Sequence, residues 1–313
     1  MLRTTLTRFT GPVVGVLLLV LVSSANAQVS RKETLRAADG FPINITYYPF
    51  TESKENSGAV AMNAPVVIMI PGDNETRLMW DKGSSPRDLD PLPVQLQKRG
   101  YAVITVDPRK HGESIVNADD RIQANDYAAI ALADMGAIKD FIYAEHQAQR
   151  LNMQKMALIG SGTGAAVAAS FADIDWKKPP YDDAPTLAER TPRGQDVKAI
   201  IMLSPETTAG RIKTTTALRP LRGPAINLGL LIVVGKDDSA DKRQAKTIHD
   251  AFAASTKGAS ENPRVELSTP ELKDRGIALL RQRQPYTTVI KYLDDHVKTM
   301  NIPWQDRRSR LER

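Results

Sequence analysis

Residues Ala157 to Ala169 read "ALIGSGTGAAVAA". The stretch opens as an apolar strand, passes glycines at alternate positions (Gly160, Gly162, Gly164), and continues as a run of small residues suited to a helix lying close against a sheet. A strand that turns tightly into a helix is the repeating unit of alternating β-α folds.

The surrounding sequence repeats that unit. Pro65 to Ile70, "PVVIMI", is a continuous apolar run of the kind a strand buried on both faces requires, and it stops at Pro71-Gly72-Asp73. Strand-like runs recur at Ala102–Val106, Met156–Ile159, Ala199–Leu203, Leu230–Val234 and Val265–Leu267, with helix-length segments between them. In one such segment, Asp126 to Ala148, the residues Ile130, Met135, Ile138, Phe141 and Ile142 approximate a helical stripe. The order predicts an α/β fold, a mainly parallel central sheet with helices on both faces. An N-terminal antiparallel hairpin precedes it, read from Thr34–Ala37, the Asp39-Gly40 turn and the alternation of Ile43, Ile45 and Tyr47. Thr51 to Asn63 reads as a polar loop. Right-handed crossovers put the loops that follow the strands along one edge of the sheet, where chemistry is expected.

The chain has 313 residues, enough for one large domain, and its 42% hydrophobic and 25% charged content is ordinary for a globular protein. Arg3 and Arg8, the apolar run Val13–Val22 and Ala25-Asn26-Ala27 have the form of a secretory signal peptide over residues 1–27, predicting export to the periplasm or the medium. The apolar run is about half of the roughly 20 residues a bilayer span needs, so no stable membrane span is expected after cleavage. With no cysteine, disulfides and thiolate chemistry are excluded. The net charge of +6 includes Arg3 and Arg8, and the remainder is too small to argue for nucleic acid. The mature chain then reads as a single domain over residues 28–300. Asp173–Asp196, with Trp176 and Pro179-Pro180, is an insertion expected over the strand ends as a surface excursion or a lid, and 301–313 is a basic tail expected to be a solvated end.

Three stretches resemble the alpha/beta-hydrolase fold family in the family's own order. "ALIGSGTGAAVAA" has the strand-turn-helix context of the nucleophile elbow. "VITVDPRKHGES", Val103–Ser114, is similar to the D-x-R-G-H-G-x-S loop of many members, and "VVGKDDS", Val233–Ser239, is similar to the loop that delivers the acid of the triad. The resemblance covers roughly Lys32 to Met300 and implies a serine-hydrolase layout: nucleophile, histidine base, orienting acid and N–H donors for the oxyanion.

Compared with that layout, this chain departs at two positions. The nucleophile position matches Gly162, which has no side chain to acylate, and glycine adopts the elbow's positive-φ geometry without steric cost. Ser161 stands one residue early and is the fallback nucleophile. The base position, after the last strand in "STPELKDRGIALL", matches Arg275, whose guanidinium stays protonated. His111, His146, His249 and His296 all fall elsewhere and read as surface or structural residues. Asp238 matches the acid position; it also stands where an aspartate caps a helix, over Ala240–Phe252, and an ion pair with Arg275 is expected there. Glu206 is the fallback acid. In the oxyanion loops, Gly72 and the Thr163 N–H are candidate contributors, whereas Asp73 brings negative charge to the place where an oxyanion would develop.

No P-loop, GxGxxG after a first strand, HExxH or EF-hand pattern appears, so no cofactor and no metal are expected. The leading expectation is an exported hydrolase-fold protein without serine-hydrolase activity that binds a small molecule or an envelope protein partner. The alternatives are an active esterase- or peptidase-like serine hydrolase of atypical geometry, using Ser161 or a residue of the insertion with a distant histidine, and a structural envelope protein.

Overall fold

A computed structural model describes residues 30–254 and 262–313. The expected signal peptide, 1–27, lies outside the described residues.

The chain builds the strands β1 (Arg31–Arg36), β2 (Pro42–Tyr48) and β3 (Val66–Ile70), the helices α1 (Arg77–Gly83) and α2 (Leu92–Lys98), and β4 (Ala102–Asp107). Helix α3 (Asp126–Ala129) runs through a π turn (Ile130–Asp134) into α4 (Met135–Gln147), and β5 (Met156–Ser161) turns into α5 (Thr163–Lys177). There follow β6 (Val197–Leu203), a small ribbon of β7 (Thr208–Ala209) and β8 (Ile212–Lys213), α6 (Thr214–Leu218), β9 (Gly229–Val233), α7 (Ser239–Ala253), β10 (Val265–Ser268) and α8 (Arg283–Leu293). The polar segment expected to be a loop, 51–63, carries only two single 3₁₀ turns.

Eight strands form one sheet in the order β1-β2-β4-β3-β5-β6-β9-β10. β1 pairs antiparallel with β2 in the register Leu35 to Ile43, across a turn in which Gly40 takes φ +85°. β2 pairs antiparallel with β4, and all the remaining pairings are parallel. The fold class is therefore α/β with a mainly parallel sheet and an N-terminal antiparallel pair, as the apolar runs imply. β3 is fully buried along its length, so its alternate residues feed two cores. Val66, Ile68 and Ile70 pack with the α4, α5 and α7 layer, while Val67 and Met69 pack with Trp80, Leu92, Leu96, Tyr286 and Val289 on the other face.

Two expectations are corrected. α5 leaves the strand ends at Thr163 and continues to Lys177, so the first part of the proposed insertion is helix. The remaining 178–196 segment leads into the first residue of β6, which is parallel to β5; it therefore lies at the opposite edge of the sheet from the elbow and cannot cover it. The basic tail is not a solvated end either. Arg307 and Ser309 are buried, Trp304 Nε1 donates to the His146 carbonyl at 2.9 Å, and Arg307 pairs with the buried Asp196 at 2.8 Å. Hydrogen bonds to Asn152, His146 and Gln147 were invisible in a run of arginines.

Candidate functional site at the strand ends

β5 ends at Ser161 and the chain reverses into α5 through Gly162, which sits at φ +50°, ψ −118°. The turn is fixed by the Gly162 N–H donating to the Leu203 carbonyl at 3.0 Å and by the Glu206 N–H donating to the Gly162 carbonyl at 3.2 Å. The flanking glycines have a steric reason. A Cβ on Gly160 would stand 2.5 Å from Ala165 Cα, and one on Gly164 would overlap the Pro71 and Ile70 carbonyl oxygens, so both let α5 lie close to the sheet. At Gly162 itself a Cβ would be accommodated in ordinary contact, meeting Glu206 Oε1 and Gly72 Cα, each at 3.9 Å. The turn thus has the shape of a nucleophile elbow with no side chain at its tip.

Asp238 lies at the end of the loop after β9 and caps α7, its Oδ1 accepting from the Ala240 and Asp241 N–H groups at 3.1 and 3.0 Å. Its other oxygen is 2.9 Å from Arg275 Nε. The principal partner of Arg275 is Asp241, whose two oxygens accept from Nε and an Nη at 2.6 and 2.5 Å in a two-pronged fork. Asp241 is buried, and the two carboxylates raise the guanidinium pKa further, hydrogen bonding to Asp241 being the largest influence. Asp241 was legible only as part of a bunched acidic run; its spacing of three from the cap residue Asp238 is the signal that places both on one side of the first helical turn.

The loop after β3 presents carboxylate acceptors beside the turn. Asp73 Oδ1 accepts from Thr163 Oγ1 at 2.6 Å and from the Tyr127 hydroxyl at 2.5 Å, which sets a carboxylate over the first turn of α5. Burial, then Asp73, push the Tyr127 phenol well above its ordinary pKa, so it remains a donor. The Gly72 N–H donates to Glu75 Oε2 at 2.8 Å, and the other Glu75 oxygen accepts from the Ile277 N–H at 3.0 Å. Glu75 escaped sequence reading because nothing local marks it as bridging two distant loops. Glu206 is half-buried beside Gly162; burial raises its pKa, the Asp73 and Asp241 charges act in the same direction, and Arg275 opposes them.

Ser161 is buried beneath the Arg275–Gly276 turn. As the strand residue after Gly160, it faces the opposite side of the sheet from α5, and its buried Oγ has no hydrogen-bond partner. A Cβ on Gly276 would stand 2.6 Å from that oxygen, which is why Gly276, at φ +54°, follows Arg275. None of the histidines reaches it. His111 Nδ1 lies 3.0 Å from the Arg109 carbonyl, within a loop tied by Arg109 to Asp134 and Asp39. His146 is at the opposite edge, its Nε2 2.8 Å from the Gln305 carbonyl. His249 pairs with its neighbour Asp250 at 3.2 Å, and His296 lies 3.5 Å from Glu266. Among the described residues, no three His, Cys, Asp or Glu side chains are grouped to hold a metal ion, and no helix is long and apolar enough to cross a membrane.

No protein-family model matches the chain, and no curated protein does. Solved structures do. A dienelactone hydrolase from Anabaena variabilis superposes with a TM-score of 0.56 at 13% identity, covering 87% of this chain and 100% of the other. An esterase from Pyrococcus furiosus gives 0.57 at 13%, covering 86% and 93%, and a lipase/esterase from Lactobacillus plantarum gives 0.52 at 16%, covering 85% and 98%. At these identities the likeness establishes the alpha/beta-hydrolase fold.

Proposed function

We propose that this chain is an exported alpha/beta-hydrolase-fold protein that binds its ligand at the strand ends without forming an acyl-enzyme. The observation that carries this reading is the elbow tip: Gly162 keeps the turn but offers no attacking atom. The base position agrees with it, because Arg275 is held by Asp241 and Asp238 as a permanent cation and cannot accept a proton. Acceptors from Asp73 and Glu75 occupy the side where a hydrolase arranges donors for an oxyanion. What remains at the tip is the half-buried Glu206, whose Oε1 would stand 3.9 Å from a Cβ at Gly162, an acceptor suited to a small molecule that brings hydrogen-bond donors.

The test is turnover of p-nitrophenyl esters of graded chain length by the mature protein. We expect a rate indistinguishable from buffer. A second reading, an active serine hydrolase, is favoured by the hydrolases and esterases among the structural neighbours. It requires Ser161 to rotate out of its buried position and find a base, so sustained turnover lost in Ser161→Ala with the fold intact would establish it. Export rests on the residue 1–27 pattern and is checked by N-terminal sequencing of the protein recovered from the cell envelope, with a start at Gln28 expected.

A further inference from the structure

At the edge of the sheet opposite the elbow, the 178–196 segment and the C-terminal tail enclose a cleft of about 790 Å³, walled by residues such as Arg190 and Thr191 on one side and Trp304 and Arg310 on the other. An adjoining cavity of about 350 Å³ shares Lys178 and Pro192 with it and reaches Tyr143, Tyr181, Arg193 and Arg307. We propose that this cleft is a binding site for a small organic oxyanion, a phosphate or carboxylate group on a ring-sized body.

The walls are pinned in place. Asp183 accepts from the Thr191 N–H and the Arg310 N–H, each at 2.9 Å, and so ties the segment to the tail. The tail is held from beneath by Trp304 on the His146 carbonyl and by Gln147 on Asp306 at 2.7 Å. A cleft between two fixed segments needs little ordering when a ligand arrives, and its volume is that of ordinary small-molecule sites.

The lining of the two cavities carries seven basic side chains against the four carboxylates Asp140, Glu189, Asp306 and Glu312. Among the described residues, Lys178, Arg193 and Arg310 have no carboxylate within ion-pair distance, and neither do Asp140, Glu189 and Glu312 have a cation, whereas Arg190 is matched by Asp182 and Asp306 is engaged by Arg308. Arg307 lines the inner cavity with its side chain 3% exposed; two of its nitrogens serve Asp196 and the Gly194 carbonyl, and its Nε lacks an acceptor. That Nε is closed off from the cavity, so an oxyanion entering it would be met by the exposed Arg193 and Arg310 guanidiniums. Arg193 lies over the Tyr181 ring at 5.0 Å, so a planar body beside the anionic group has an aromatic and a guanidinium surface to rest on.

The experiment is calorimetric titration of the mature protein with phenyl phosphate, benzoate, phenol and inorganic phosphate, repeated on the Arg193→Ala/Arg310→Ala double variant. Both arginines are exposed, so the variant should keep the wild-type melting temperature. Expected is binding of at least one aromatic anion, absent for phenol, weakened by salt, and about tenfold or more weaker in the variant. Preference for phenyl phosphate over benzoate identifies a phosphate ligand, and the reverse identifies a carboxylate. The proposal is overturned if neither aromatic anion binds the wild type, if the variant binds equally well, or if inorganic phosphate binds as tightly as phenyl phosphate. Because the cleft is on the other edge of the sheet, Gly162→Ser should leave this binding unchanged, which separates the cleft from the fate of the strand-end site.

Discussion

Gly162 combines a backbone conformation that side chains rarely adopt with space in which one would fit. Gly162→Ser should therefore fold with a loss of about 1–3 kcal/mol from backbone strain, read as a lower urea midpoint. It should still fail to hydrolyse esters, since Arg275 cannot deprotonate the new hydroxyl. Glu206 offers a second prediction. Its pKa is raised in the folded protein, mainly by burial, so the folded state holds the proton more tightly than the unfolded chain. The associated stability is present below the ordinary carboxylate value of 4.5 and is lost as pH rises through the raised value. Glu206→Gln should accordingly raise the melting temperature at neutral pH and flatten its dependence on pH in that window. At this scale the sequence singled out Gly162 and Arg275, because each lies inside a recognisable stretch. It did not reveal Glu75, Tyr127 or Asp241, whose roles come from loops that meet only after the sheet is assembled.

The turn between β5 and α5 was legible in the sequence, though not the end of α5 at Lys177, because its constraint is local and steric: small residues at 160 and 164 are what allow the helix to approach the neighbouring strand. Gly164→Ala places a methyl group against the Pro71 and Ile70 carbonyls and should cost about 1–3 kcal/mol or more, with the chemical denaturation curve shifted and its slope kept. The buried strands were equally plain, since a strand covered on both faces must be apolar throughout, as β3 is. What escaped was anything set by packing between distant elements. The π turn that interrupts the helix at Ile130–Asp134 has no local signature, though it leaves Asp134 turned to hold Arg109. The destination of the 178–196 segment also depends on the direction of α5 and not on the segment's own residues.

The molecule has two differently built ends, one at the elbow and one where the C-terminal tail is bound under the sheet. The tail is tied to the body through a buried charge group in which Lys139 and Arg307 share Asp196, and Lys139 also pairs with Asp175. Arg307→Ala leaves that group with an unbalanced buried carboxylate and should destabilise the protein by about 3 kcal/mol or more in urea unfolding. His146 binds the tail as a neutral ring: burial lowers its pKa, with the Gln305 and Leu151 carbonyls acting in the opposite direction. Its contribution to stability is present above the ordinary histidine value of 6.5 and is lost as pH falls through the lowered one, so acid should loosen the Trp304 anchor, visible as a change in tryptophan emission. At the other end, the whole account turns on the absence of an acylatable side chain at the elbow tip, Gly162. The direct measurement is intact-mass spectrometry of the mature protein after prolonged exposure to an alkyl fluorophosphonate. An unchanged mass is the predicted result; a single stoichiometric adduct mapped to Ser161 would contradict it.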